Sequence, residues 1–175
     1  MKSIAFSICI LLLTSMTLSA QSIRIYEKNS TLYYDIIYTI KSGVIYEGNA
    51  TNYYNAICNV KSNKIYKGNS SSYYDAVFTM VNRTAFVGNS TYYFDAIFNM
   101  TDYKVFSKKS NYYYNTLYSL KGNAVYEGNS SYYFHAVCNS SEELSDIELM
   151  AIIYLIYFEI KTPEDIKTHL ENRDD

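Results

Sequence analysis

The sequence predicts a mainly β fold: six hairpins of twenty residues closing into a shallow twelve-stranded antiparallel barrel, with a hydrophobic C-terminal helix plugging the centre. Three observations predict it. One phrase recurs at a twenty-residue spacing, as IYEGNATNYYNAI (45–57), IYKGNSSSYYDAV (65–77), AFVGNSTYYFDAI (85–97) and VYEGNSSYYFHAV (125–137). Two turn signals fall inside every copy, and the runs between them are rich in Ile, Val, Tyr and Phe. After the repeats comes LMAIIYLIYF (149–158), apolar on every side.

In chain order, residues 1–20 read as a secretory signal peptide. Lys2 supplies the basic start, Ile4 to Leu13 the apolar core, and Leu18-Ser19-Ala20 the small-residue end. That core is short of the ~20 residues a membrane span needs. The mature chain is expected to begin near Gln21 and to be secreted or periplasmic, as a monomer with no transmembrane span.

Residues 21–141 form the repeat barrel, in six copies anchored at Tyr26, Tyr46, Tyr66, Phe86, Phe106 and Tyr126. A fixed period means one supersecondary unit packed on its neighbours. The first turn is Gly-Asn followed by small polar residues (Gly48-Asn49, Gly68-Asn69, Gly88-Asn89, Gly128-Asn129), where positive φ is cheap. The second is short and polar (Lys41-Ser42-Gly43, Lys61-Ser62-Asn63, Lys121-Gly122-Asn123). Short strands are expected at 24–27, 44–47, 64–67, 84–87, 104–107 and 124–127. Longer ones are expected at about 32–40, 52–60, 72–80, 92–100, 112–120 and 132–140. Alternation in the third copy puts Tyr74, Ala76, Phe78 and Met80 on the core face and Tyr73, Asp75, Val77 and Thr79 towards solvent. In the fourth, Phe94, Ala96, Phe98 and Met100 oppose Tyr93, Asp95, Ile97 and Asn99. An open sheet of this width curls or splits, and an open edge aggregates. Closure, with the last long strand pairing to the first short one, solves both.

Residues 142–161 supply the central helix, with capping-box spacings at Ser140-x-x-Glu143 and Ser145-x-x-Glu148. Ten residues rise only ~15 Å, half a bilayer's hydrocarbon. Twelve strands ~4.8 Å apart and tilted ~40° close at a radius near ~12 Å, which one helix plus inward side chains fills. The helix should touch Ala76, Phe78, Met80 and their equivalents. Residues 162–175 form an acidic short helix with Thr162 as N-cap and Pro163 at its first position, expected outside the ring.

Hairpin repeats of this pattern, over residues 24–140, resemble the bacterial β-flower proteins. The resemblance implies a rotationally symmetric barrel with hairpins as petals, six here where the named families mostly carry four or five. It implies no general biochemical activity. Twelve strands around a hydrophobic helix also look like the tubby-type barrel, whose members often bind phospholipid headgroups; that is fold analogy without a shared motif.

Charge divides the chain. Residues 21–141 hold eleven Lys/Arg against seven Asp/Glu, and residues 142–175 hold three against ten, so the parts can attract. The weakly basic repeats lack a nucleic-acid footprint. With two His in the mature chain (His135 and His169) and no nucleophile, P-loop, dinucleotide or zinc pattern, neither an enzyme, a cofactor nor a metal is expected. Candidate sites come from the repeat itself. Tyr33, Tyr53, Tyr73, Tyr93, Tyr113 and Tyr133 are the same in all copies, suited to stacking on sugars or lipid headgroups, or else to packing between hairpins. Asp35, Asn55, Asp75, Asp95, Asn115 and His135 make a polar ring able to hold a cation or a sugar, or else serve local turn bonding. Asn-x-Ser/Thr sequons stand at Asn29, Asn49, Asn69, Asn82, Asn89, Asn99, Asn129 and Asn139.

Cys58 and Cys138 share one repeat position with Tyr38, Phe78, Phe98 and Tyr118. Two copies apart on a six-unit ring is about 120°, a chord of about 21 Å, beyond the ~7 Å a disulfide allows. They should be free thiols, leaving room for Tyr154 or Phe158. The expected role is a secreted, non-enzymatic repeat domain that binds a glycan, a lipid headgroup or an envelope protein, or is structural there. The rivals are an amyloid-like fibre subunit, since Tyr/Asn/Ser-rich strands can stack, and a β-solenoid cell-wall-binding protein.

Overall fold

A computed structural model of the chain describes residues 21–172; residues 1–20, expected as a signal peptide, and residues 173–175, the end of the expected acidic tail, lie outside the described residues. The short strands are β1 (Ile23–Glu27), β3 (Val44–Glu47), β5 (Lys64–Lys67), β7 (Thr84–Val87), β9 (Lys104–Ser107) and β11 (Ala124–Glu127). The longer ones are β2 (Ile36–Lys41), β4 (Ala56–Lys61), β6 (Ala76–Val81), β8 (Ala96–Met100), β10 (Thr116–Lys121) and β12 (Ala136–Ser140). Sequential antiparallel pairing joins all twelve into a closed barrel. β1 meets β12 with Ile25 opposite Ser140 and Glu27 opposite Cys138. Two backbone bonds, Lys28 N to Val137 O at 2.9 Å and Ser141 N to Arg24 O at 2.8 Å, extend that seam. An open solenoid is ruled out.

Two-residue turns join four of the five longer strands to the next short one, and three residues, 101–103, join β8 to β9. Both central residues take positive φ at Ser42 (53°) and Gly43 (78°) and at Asn82 (49°) and Arg83 (61°). This turn type matches the right-handed twist of the strands it joins.

The longer strands start about four residues later than expected, because the paired aromatics coil into a single 3-10 turn (Tyr73–Asp75 and its equivalents) before the strand begins. A β-bulge follows. Tyr66 pairs with Ala76 and Ile65 with Phe78, so Val77 is the extra residue. The bulge breaks strict alternation and corrects the face assignments. Tyr74 and Phe94, expected in the core, are 93% exposed. Val77, expected at the surface, joins Phe78 in the core, and Thr79 is buried too. Ala76 is buried opposite Tyr66, outside the core cluster.

The core is made of inward side chains from all six copies, among them Ile25, Ile45, Ile65, Ala85, Val105 and Val125, packed around α1 (Asp146–Tyr157). Six consecutive α1 residues, Met150 to Leu155, are buried, as a helix inside a closed wall requires. Ser145 and Glu148 cap it, the Ser145 amide donating to Glu148 Oε2 at 3.0 Å. The alternative box at Ser140 is not used: Ser140 ends β12 and its hydroxyl donates to the Glu142 carbonyl at 2.6 Å. Tyr154 packs against Phe78 and Phe98, with ring centroids 5.3 and 6.4 Å away. Tyr154 and Phe158 thus pack with the aromatic copies, Phe158 lying 6.3 Å from Phe98 between ring centroids.

The chain leaves α1 through Glu159 at φ 55°. The Tyr38 hydroxyl donates to the Ile160 carbonyl at 2.8 Å and fixes this exit. α2 (Pro163–Glu171) then lies against β4 and β5. Its Ile166 enters the core, so the second helix covers the ring rather than standing clear of it. Tyr154 Oη and His169 Nε2, 2.7 Å apart, link the two helices. None of the described helices is long and apolar enough to cross a membrane.

Candidate functional site

Five petals end in a tip closed by the turn Ser, and the second, which has Ala50 there, is closed by the backbone bond from Asn55 N to Asn52 O at 3.1 Å. In the first copy the Ser30 hydroxyl accepts from the Leu32 amide at 3.1 Å and donates to the Asp35 carboxylate. The third copy repeats this, with Ser70 accepting from Ser72 N at 3.0 Å and donating to Asp75 at 2.5 Å. In the fifth, Asn115 Nδ2 donates to Ser110 Oγ at 2.8 Å. The backbone completes the turn, for example Asp75 N to Ser72 O at 3.1 Å. These bonds hold residues 33–34, 53–54, 73–74, 93–94, 113–114 and 133–134 outward as paired aromatics, all exposed. Within five of the pairs the rings meet edge to face, as in Tyr73–Tyr74 (5.7 Å, 86°) and Tyr133–Phe134 (5.9 Å, 89°).

Neighbouring petals are tied through the Gly-Asn turn. Asn69 Nδ2 donates to the Tyr53 carbonyl at 3.2 Å, Asn89 to Tyr73 at 2.7 Å and Asn129 to Tyr113 at 3.0 Å. Asn29 donates to Tyr133 at 2.8 Å, so the rule holds across the seam. The fifth copy has Lys109 where the others have Asn, and its ammonium stands 5.3 Å from the centre of the Tyr93 ring. A second tie runs from β-strand position to turn. Thr79 Oγ1 donates to the Gly88 carbonyl at 2.7 Å and Asn99 Nδ2 to the Ser110 carbonyl at 3.0 Å.

The result is a recurring groove between petals. One wall is the aromatic pair of one copy; the other is the Gly-Asn-Ser turn and Asx side chain of the next. Between the second and third petals it encloses about 520 Å³, lined by Tyr53, Tyr54, Asn69 and Asp75 among others. Across the seam, Tyr133 and Phe134 face Lys28, Asn29 and Asp35 around about 680 Å³.

The Tyr33 set thus stands at the petal tips, exposed; the next copy engages the carbonyls of Tyr53, Tyr73, Tyr113 and Tyr133, the hydroxyl of Tyr33 and the ring of Tyr93. The polar set is placed one per groove, each acid bonded to the Ser of its own turn. His135 lies beside Tyr132, ring centroids 6.4 Å apart. Sequence reasoning missed Tyr34, Tyr54, Tyr74, Phe94, Tyr114 and Phe134, the most exposed aromatics of the crown, together with Tyr92, Tyr112 and Tyr132 of the last three petals. A usable signal was present: Ser and Asp five residues apart around three of the aromatic pairs (Ser30/Asp35, Ser70/Asp75 and Ser90/Asp95) is turn chemistry, not strand chemistry.

A closed ring of six equivalent petals is now complete, and a family model, that of the 6-fold beta flower protein, matches residues 25–153. The chain belongs to this family. No curated protein and no solved structure matches it. In this beta flower the match runs from Ile25 in β1 to Ile153 in α1, so the family pattern reaches into the central helix.

The strongest pKa perturbations of the beta flower lie away from the crown. Burial drives the Cys58 and Tyr38 pKa values up, and carries Cys138 and Tyr118 to about 12. At the opposite side of the wall, Arg83 bonds Asp102 and reaches Asp146 Oδ1 at 2.9 Å, joining the ring to the start of α1. The bond to Asp102 raises the Arg83 pKa further.

Proposed function

We propose that this beta flower is an exported, non-enzymatic binding domain whose petal crown takes a carbohydrate in the grooves between petals. The observation that carries the reading is the crown: every tip holds an exposed aromatic pair beside a polar turn of the next copy, which presents Asn in five cases and Lys109 in one. Aromatic faces left in water at every copy are costly unless something covers them. A sugar ring offers what the groove offers in mirror image, an apolar C–H face for stacking and hydroxyls for Asn, Ser and Asp. Grooves repeated around one ring also favour a polymer with repeating units, because each further contact is intramolecular. The titratable groups most shifted by burial lie among core side chains, where packing accounts for them. Export rests on the signal segment at residues 1–20.

The test is a panel of immobilised glycans alongside phosphatidylcholine and phosphatidylglycerol vesicles, probed with full-length mature protein. Binding to glycans is expected, lost in the Tyr54→Ala, Tyr74→Ala, Phe94→Ala variant with Tm unchanged. Binding to vesicles and to no glycan favours the headgroup reading instead and overturns this one.

A further inference from the structure

Building on the carbohydrate reading above, we infer that the groove between the fourth and fifth petals binds a sugar that carries a carboxylate, a uronate unit of the glycan. Its walls are Tyr93 and Phe94 of one copy and Lys108, Lys109, Tyr112 and Asn115 of the next, around about 770 Å³. The six petals are alike in shape but not in charge, and this groove departs furthest. Four copies write Gly-Asn at the turn, the first writes Lys28-Asn29, and the fifth alone writes Lys108-Lys109. The residue before the turn is Glu27, Glu47, Lys67, Val87 and Glu127 elsewhere, but Ser107 here. At the polar position, Asp35, Asp75 and Asp95 give way to Asn115. This groove therefore gathers two ammonium groups and no carboxylate.

Comparison with the other cationic turns sharpens the point. Lys28 stands 3.8 Å from Glu27, and Lys67 shares its groove with Asp75. Among the described residues no ion pair involves Lys108 or Lys109. Lys109 is held over the Tyr93 ring, so its charge is kept at the groove wall. Lys108 takes φ 55°, the same backbone state as Lys28, so the doublet fits the turn without altering the petal. An anion entering here meets two cations beside aromatic faces, whereas at the first, second, fourth and sixth turns it meets an acid. A ring bearing a carboxylate uses both parts of the groove: its face stacks on the aromatics and its charge lies against the lysines.

The experiment titrates the full mature chain with an oligogalacturonate and with the same oligomer as its methyl ester, which differs only in charge. Tyrosine fluorescence and calorimetry read the binding. The free acid should bind on the order of tenfold tighter at low salt, about 1.4 kcal/mol, with the preference fading as NaCl rises. The variant Lys108→Gly with Lys109→Asn, which writes the turn of four other copies, should bind both oligomers equally. Lys108→Gln with Lys109→Gln, which keeps side-chain length, should do the same. Equal binding of acid and ester by the natural chain, or a preference that survives both variants, overturns the inference while the carbohydrate reading stands. Failure of both oligomers to bind also overturns it, and failure of the whole glycan panel overturns the reading beneath it.

Discussion

At Cys58 and Cys138 a residue-level substitution is absorbed by the ring. Four copies place an aromatic ring at this core position and two place a thiol, both free and buried. Mass spectrometry after alkylating unfolded, unreduced protein should find two labelled thiols per chain; a bridged pair would contradict the six-fold geometry. The buried acids also set an alkaline limit. Tyr38, Cys58, Tyr118 and Cys138 all hold their protons more tightly when folded, chiefly through desolvation. The unfolded chain releases them near the ordinary 9.0 of a thiol and 10.0 of a phenol. Above that the native state binds more protons than the unfolded one, so stability is full below about pH 9 and falls as pH rises. Tm should decline from pH 9 to 11 in the natural chain, and less steeply in Tyr118→Phe. A Tm that is flat across this range would count against burial of these groups.

At the scale of elements, α1 is the piece whose failure is most costly. Ile153 is among the fully buried residues at the centre of the helix. Ile153→Asp leaves an unpaired carboxylate among apolar side chains, a loss of ~3–5 kcal/mol against a typical total of ~5–15. Circular dichroism and denaturant melts should show a much lower midpoint or no folded state; an unchanged midpoint would place Ile153 outside the core. The existence of α1 was legible because ten apolar residues with no polar face fit only a closed interior. Strand starts were not. Tyr and Phe favour strands on propensity, so Tyr73-Tyr74 reads as strand until the Ser70–Asp75 bond is seen to close a turn. The bulge at Val77 was equally hidden, since it depends on how β5 pairs with β6 and not on any residue in the run. The misplaced turn put Tyr74 and Phe94 in the expected core when they stand at the surface, and so hid that side of the candidate site. The Tyr33 set escaped because its expected face was already the outer one.

At the scale of the whole molecule, the number of copies and the helix are one design, and removing a copy tests it. Excision of residues 61–80 deletes a full unit and leaves every turn and strand pairing rule intact. Ten strands close at a radius near ~10 Å where twelve need ~12 Å. That ~2 Å comes out of the layer between wall and helix, where Tyr154 already packs against Phe98 and Phe158 with centroids 6.4 and 4.7 Å away. A close-packed interior does not yield that much; overpacking at a single site costs ~1–3 kcal/mol, and here it acts around the whole circumference. The five-copy chain should therefore expel α1. Limited proteolysis should cut within residues 146–157, which the six-copy chain protects, and Tm should fall. A control lacking residues 142–175 should fall in Tm as well, since the six-copy ring loses its filling. If the five-copy chain keeps both its Tm and the protection of α1, the wall and the helix are not matched in size, and the plug contributes nothing that depends on six.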